Sequence, residues 1–337
     1  VSQLKLISLR IEGHRKFDAR LVLDLRGPSG APLDYLVLAG PNGCGKTTVL
    51  DAILLTLGRE ALIVRDLDPA DRARSVRLHM APAARLQAWV HDERAGATFW
   101  IERSAAGTEV RAPIGDHQYT APTWQTFQQE VLNQLAVEYI SARRLPAQVG
   151  PVQDRTSGRG PAPTEANRIW TFKDRLRKQQ GRRVAGYRGP EPLDRLWLDK
   201  LNAYWAELRP DGTSFAMTLV DPDDLDANDW DVFLYRGEER ICPIDALSSG
   251  EQEVLAMAMP FITEPFDGLL LIDEPELHLH PQWQGRVLRG IRRLVPGAQV
   301  IVATHADDPW DDAMSWERRL LVDAHDPRAA APRGGQG

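Results

Sequence analysis

The run Gly40-Pro41-Asn42-Gly43-Cys44-Gly45-Lys46-Thr47 constrains this chain more than any other stretch of its 337 residues. It fits the pattern G-x-x-x-x-G-K-[ST] at every fixed position, and its neighbours supply the setting that pattern needs. Residues 35–39, Tyr-Leu-Val-Leu-Ala, are continuously apolar, which predicts a short strand buried on both faces of a parallel sheet. Beyond the loop, Val49, Leu50, Ile53, Leu54 and Leu57 predict a helix that stops at Gly58. Strand, glycine-rich turn and helix start together bring backbone N–H groups and a positive dipole end onto phosphate oxygens. Asn42, Gly43, Cys44, Gly45, Lys46, Thr47 and Thr48 are therefore the candidate phosphate-binding set. Within it, Lys46 would reach the β- and γ-phosphates and the Thr47 hydroxyl would ligate Mg²⁺. Cys44 reads as a small residue tolerated by the loop, with a redox switch as the alternative.

The second half of the chain adds hydrolytic chemistry. Residues 269–276 read Leu-Leu-Leu-Ile-Asp-Glu-Pro-Glu, a buried apolar strand ending in an acidic pair. Asp273 would hold the Mg²⁺ shell and Glu274 would polarise an attacking water. Ahead of that strand, Ser248, Ser249, Gly250 and Glu251 open an apolar helix whose N-terminus can receive an anion, although an ordinary helix cap reads the same way. A third strand, residues 299–303, runs into Thr304-His305, where an imidazole would meet the γ-phosphate.

Composition narrows the class. With 43% hydrophobic and 26% charged residues the chain is an ordinary globular protein, neither disordered throughout nor fibrous. No apolar run approaches the roughly 20 residues that span a bilayer, and the opening segment lacks a signal peptide's apolar core. The two cysteines, Cys44 and Cys242, support neither a disulfide framework nor a four-cysteine zinc site. A cytoplasmic protein without membrane insertion is the expectation. Net charge is −6, yet the charges are segregated. Residues 173–188 carry Lys173, Arg175, Arg177, Lys178, Arg182, Arg183 and Arg188, whereas residues 221–231 are rich in aspartate. The basic run reads equally as a phosphate-contacting stripe for nucleic acid or as a solvated helix face. The acidic run reads as a solvated loop or a surface for a basic partner.

Taken in order, residues 40–48, 247–252, 269–274 and Thr304-His305 resemble the ABC-type P-loop ATPases, and within them the branch that holds RecF, SMC and OLD-type proteins. The continuation Glu274-Pro-Glu-Leu-His-Leu-His-Pro281 has the form common in that branch, including His278 and His280. At the start, Arg15 and Phe17 match the branch's Arg-x-Phe opening, while His14 replaces its first aromatic residue. The resemblance covers residues 1–58 and 241–323. It implies an α/β fold, ATP and Mg²⁺ as cofactors, Arg15 as a nucleotide contact, and Glu274 and His305 as catalytic residues. It also implies a homodimer in which ATP is sandwiched between the phosphate loop of one copy and Ser248, Ser249 and Gly250 of the other.

Between the two core segments, residues 59–136 are expected to form a β-rich arm with a connecting helix, and residues 137–240 a helical insertion lobe. Residues 86–92 and 97–103 read as a hairpin, and Trp124, Phe127, Val131 and Leu135 recur at helical spacing. A returning strand is expected from Val137, with Ser141, Arg143 and Gln148 as unassigned candidates for a γ-phosphate sensor. A flexible loop is expected over 146–163, then a helix capped by Thr164 and ended by Gly181. The next helix, over 193–208, carries Leu196, Trp197, Leu201, Tyr204, Trp205 and Leu208 as a stripe that reads as core. Residues 324–337 read as a disordered tail. Three functions fit: an ATPase governing a nucleic-acid process in anti-phage defence, a nucleotide-gated scaffold with slow turnover, or a transporter ATP-binding subunit. No sustained heptads are present, and the chain after Glu274 is too short for the nuclease domain of OLD proteins, so a nuclease or other effector is expected in trans.

Overall fold

Thirteen strands and nine α-helices are placed among residues 4–65, 67, 69–72, 74–111, 123–142, 168–184, 193–221, 223, 229–277 and 279–322, which the computed structural model describes. In chain order β1 (Leu4–Glu12), β2 (Leu21–Asp24) and β3 (Tyr35–Ala39) lead to α1 (Lys46–Thr56), α2 (Glu60–Ile63) and α3 (Pro69–Arg72). Next come β4 (Arg85–Asp92), β5 (Ala97–Ser104), β6 (Gly107–Arg111), α4 (Trp124–Glu130) and β7 (Val137–Ile140). α5 (Arg168–Val184), α6 (Leu193–Leu208), β8 (Thr213–Leu219), β9 (Trp230–Arg236), β10 (Glu239–Pro243) and α7 (Ser249–Thr263) follow. The chain closes with β11 (Leu269–Asp273), α8 (Pro281–Leu294), β12 (Gln299–Thr304), α9 (Asp307–Asp312) and β13 (Arg318–Leu320). Two units result, one of Val1–Ala142, Asp267–Leu277 and Gly297–Gly337, the other of Arg143–Phe266 and His278–Pro296.

The first unit is built on two sheets with α1 between them. One sheet is parallel, in the order β13-β3-β12-β11-β7. Every residue of β11 and β12 is buried, the outcome that a continuous apolar run in a covered parallel sheet demands. The other is antiparallel, β2-β1-β4-β5-β6. Its inward face carries Leu4, Leu6, Leu9, Ile11, Leu86, Ala88, Val90, Phe99 and Ile101. Leu6 and Leu9 both point inward because the register slips between Leu6 and Ser8, a bulge that shifts the alternation by one residue. Touching strands of both sheets, α1 is buried all round rather than along one stripe. It stops where expected. Gly58 takes φ +66°, Arg59 N donates to Leu54 O at 2.8 Å, and the helix unwinds. The buried Gln299 amide bonds the backbone of Leu6 and Leu33, tying the sheets together.

The segment read as an arm thus continues the sheet that β1 and β2 begin. The hairpin is present, with Asp92 opposite Ala97. The helical spacing from Trp124 to Leu135 does not form one helix: α4 ends at Glu130 and residues 132–134 make a tighter 3₁₀ turn.

The second unit joins α5, α6, α7 and α8 to a small antiparallel sheet, β10-β9-β8. The aromatic stripe of α6 is core. Trp205 is fully buried, donates Nε1–H to Thr213 Oγ1 at 2.9 Å and meets Phe215 edge-on. Tyr204 lies against Gly290 of α8, where a Cβ would come within 2.7 Å of its ring. Leu196, however, is half exposed and leaves the stripe. Gly181 does not end the preceding helix, since α5 runs through it to Val184; a helical glycine costs only about 1 kcal/mol against alanine.

Part of the basic run is paired within the second unit. Lys173 is 3% exposed and pairs with Asp231 and Asp245, while Arg177 pairs with Asp231 at 3.0 Å and donates to the Trp230 carbonyl. Lys178 meets Asp174 and Arg175 meets Glu264. Asp231, from the aspartate-rich run, thus answers two of these cations, Lys173 and Arg177. The loop 146–163, Thr164, Arg143, Gln148, Arg188, His278, most of residues 221–231, the tail 324–337 and the side chains of Arg182 and Arg183 lie outside the described residues. Among the described residues no helix is long and apolar enough to cross a membrane.

Candidate nucleotide site

Three strand ends converge because their parallel register aligns them: Asp273 lies opposite Ala303, and Thr304 opposite Ala39. The loops leaving β3, β11 and β12 therefore open at one edge of the sheet, the usual ligand crevice of such folds. After β3 the phosphate loop needs its glycines. Gly43 takes φ +80° and Gly45 φ +104°, and a Cβ on Gly45 would come within 2.7 Å of the Phe17 ring. Phe17, from the amino-terminal segment, thus closes over the loop. Lys46 lies folded across it, donating Nζ–H to Gly40 O at 2.7 Å and Pro41 O at 3.2 Å. Asn42 and Gly43 are exposed, Cys44 and Gly45 half-buried, and Thr48 is packed inward.

Thr47 Oγ1 donates to Asp273, lying 2.9 Å from Oδ2 and 3.1 Å from Oδ1. This hydroxyl and carboxylate are hard oxygen donors, and they fit Mg²⁺. Burial pushes the Asp273 carboxyl up to about 6, against the lowering influence of the Thr47 hydrogen bond and the Arg77 charge. The next residue, Glu274, takes φ +46°, a region non-glycine residues seldom occupy, and its N–H is tied to Ala303 O at 2.8 Å.

Glu276 was quoted in the motif but its part was not legible there. It is 4% exposed and accepts from Thr304 Oγ1, from the His305 backbone N–H and, at 2.9 Å, from His305 Nδ1. The carboxylate thereby fixes the imidazole orientation through Nδ1.

Arg15, expected as a nucleotide contact, sits at φ +52° with its guanidinium 2.6 Å from the fully buried Asp51 and bonded to the Arg77 carbonyl. Asp51 also holds Arg77. Beside them His14 is fully buried with neither ring nitrogen hydrogen-bonded among the described residues, and its backbone pairs with Phe17. Burial, helped by the Arg15 charge and opposed by Asp51, lowers its pKa to about 4. The unfolded chain therefore binds a proton that the native state refuses, and stability is lost as pH falls from about 6.5 towards 4. Replacing His14 with Leu, a side chain of similar volume, should raise neutral-pH stability by about 1 kcal/mol and flatten that acid dependence. Denaturation midpoints over this pH window check it; an unchanged slope would contradict it.

In the second unit, Ser248 caps α7. It accepts from Glu251 N, while Glu251 Oε2 receives the Ser248 N–H at 2.9 Å, a complete capping box. Arg209 grips the same glutamate. Ser248 and Ser249 are exposed and Gly250 is half-buried near Trp283, so the helix N-terminus faces solvent.

Fold and site together define a P-loop nucleotide-binding core with the fold of SMC head domains. Residues 8–81 match a family described as an AAA domain, and residues 168–307 match one described as AAA domain, putative AbiEii toxin, Type IV TA system. Among curated proteins it is 49% identical over 43 residues to the Septu protein PtuA of Bacillus thuringiensis, covering 13% of this chain and 11% of that one. It is 32% identical over 103 residues to the Retron Ec83 probable ATPase of Escherichia coli, covering 27% and 19%. The chain thus spans under a fifth of the length of these curated relatives. Among solved structures, an SMC head bound to the C-winged helix domain of ScpA matches with a TM-score of 0.53 and 18% identity, over 96% of this chain and 99% of that one. An SMC head with an extended coiled coil derived from Pyrococcus furiosus matches at 0.51 and 17%, over 92% of each. These two likenesses are of fold.

Proposed function

We propose that the chain hydrolyses ATP in a head-to-tail pair of copies and uses that cycle to govern a separate effector, such as a nuclease, in anti-phage defence. The observation that carries the hydrolytic reading is the assembled cluster of Lys46, Thr47, Asp273 and Glu274 at one sheet edge. In this reading Lys46 exchanges its loop carbonyls for the β- and γ-phosphates. Thr47 and Asp273 would hold Mg²⁺, which neutralises phosphate charge when bound. Glu274 takes up the proton of the attacking water, and His305, oriented by Glu276, faces the γ-phosphate. The exposed N-terminus at Ser248 and Ser249 supports completion of the site by a second copy. The likeness to Septu and retron sequences supports the defence setting.

Phosphate release measured across a range of protein concentrations tests the pairing. Turnover per chain should rise with concentration and then saturate. A concentration-independent rate would refute pairing as the limiting step, and tight ATP binding without release would favour the slow-turnover scaffold.

A further inference from the structure

Thr47 does not hold the metal-side carboxylate alone. Tyr139, fully buried on β7, donates its hydroxyl to Asp273 Oδ2 at 3.3 Å. β7 pairs in parallel with β11 so that Tyr139 lies opposite Leu271, two residues before Asp273. Arg77 Nη2 donates to the same phenol oxygen at 2.7 Å. A phenol has one hydrogen, and with Arg77 occupying a lone pair that hydrogen is directed to Asp273. Arg77 is fixed in turn. Its Nε lies 3.0 Å from Asp51 Oδ2, and its guanidinium stands 5.6 Å from the Tyr139 ring centroid. Asp51 belongs to α1, the helix that opens with Lys46 and Thr47. A continuous hydrogen-bonded relay therefore runs from that helix through Arg77 and Tyr139 back to Asp273.

We propose that Tyr139, oriented by Arg77, is a positioning residue for Mg²⁺-dependent nucleotide binding, fixing the Asp273 carboxylate independently of Thr47. This rests on the reading of the cluster as a nucleotide site. The pattern follows the way outer groups orient metal ligands elsewhere: the carboxylate is aimed by a donor whose own orientation is locked. Mere packing would be met by phenylalanine, which fills the same space and needs no partner for a hydroxyl.

Tyr139→Phe in the full chain is the test, with a fluorescent ATP analogue titrated at graded Mg²⁺ concentrations and again in EDTA. The half-saturating Mg²⁺ concentration should rise roughly tenfold while affinity in EDTA stays at the parent value. In an Asp273→Asn background, Tyr139→Phe should add nothing. Arg77→Lys, which keeps a cation for Asp51 but loses the fork, should shift the Mg²⁺ requirement in the same direction. An unchanged Mg²⁺ requirement overturns the proposal. So does an equal loss with and without Mg²⁺, or a full shift persisting in the Asp273→Asn background. If the parent itself shows no Mg²⁺-dependent binding, the nucleotide reading fails and this one with it; a responsive parent with an indifferent Tyr139→Phe variant sinks this inference alone.

Discussion

Glu274→Gln should bind ATP as the parent does and release phosphate at least about 100-fold more slowly. The two side chains are isosteric, so the change removes the basic carboxylate and little else. Backbone strain does not confound it. Glu274 takes φ +46°, and glutamine inherits the same conformation, so the folded-state cost is nearly equal in both proteins. Asp273 retains its bonds to Thr47 and Tyr139, which leaves the carboxylate proposed for Mg²⁺ intact. Single-turnover phosphate release, with nucleotide affinity measured beside it, separates chemistry from binding. A variant that hydrolyses at the parent rate would remove Glu274 as the base.

Lys173→Met should destabilise the protein by about 3 kcal/mol, although a lysine in a basic run invites a test with nucleic acid instead. Its side chain is 4% exposed, with Nζ 2.9 Å from Asp231 and also bonded to Asp245. Removing the cation leaves Asp245 without this partner and Asp231 with Arg177 and the Val232 N–H among the described residues. Breaking a buried pair from one side costs more than the pair contributes, because the remaining charge stays in a poor solvent. Methionine conserves most of the volume, so loss of packing adds little. Denaturant midpoints report the effect. A phosphate-contacting lysine would instead leave stability unchanged and reduce the salt dependence of nucleic-acid binding, and that outcome would contradict the structure.

What the sequence made legible lies close together along the chain. The strand at 35–39, the phosphate loop and the strand at 269–273 are contiguous runs whose residue types are dictated by local backbone geometry and burial. The helix stop at Gly58 was readable for the same reason, since a positive φ selects glycine. What it concealed depends on contacts between distant residues. Asp51 sat unremarked within an apolar helix; sheet pairing sets Tyr139 beside the strand of Asp273, and Arg77 reaches them from a 3₁₀ turn by tertiary contact. Glu276 stood in plain view two residues after Glu274, but its role needs the register that sets Thr304 and His305 beside it. The basic and aspartate-rich runs were visible as charge, whereas the pairing of Asp231 with Lys173 and Arg177 was not. Leu196 and Gly181 show the weaker limit: helical periodicity marks a face, yet neither its edge nor the helix end follows from spacing alone.

Mass by light scattering tests the central claim most directly, using the Glu274→Gln variant with and without Mg-ATP at a concentration where nucleotide binding is saturated. The account predicts the mass of one chain, or of its resting assembly, without nucleotide and twice that mass with it. An identical mass in both conditions, with ATP demonstrably bound, would contradict nucleotide-driven pairing.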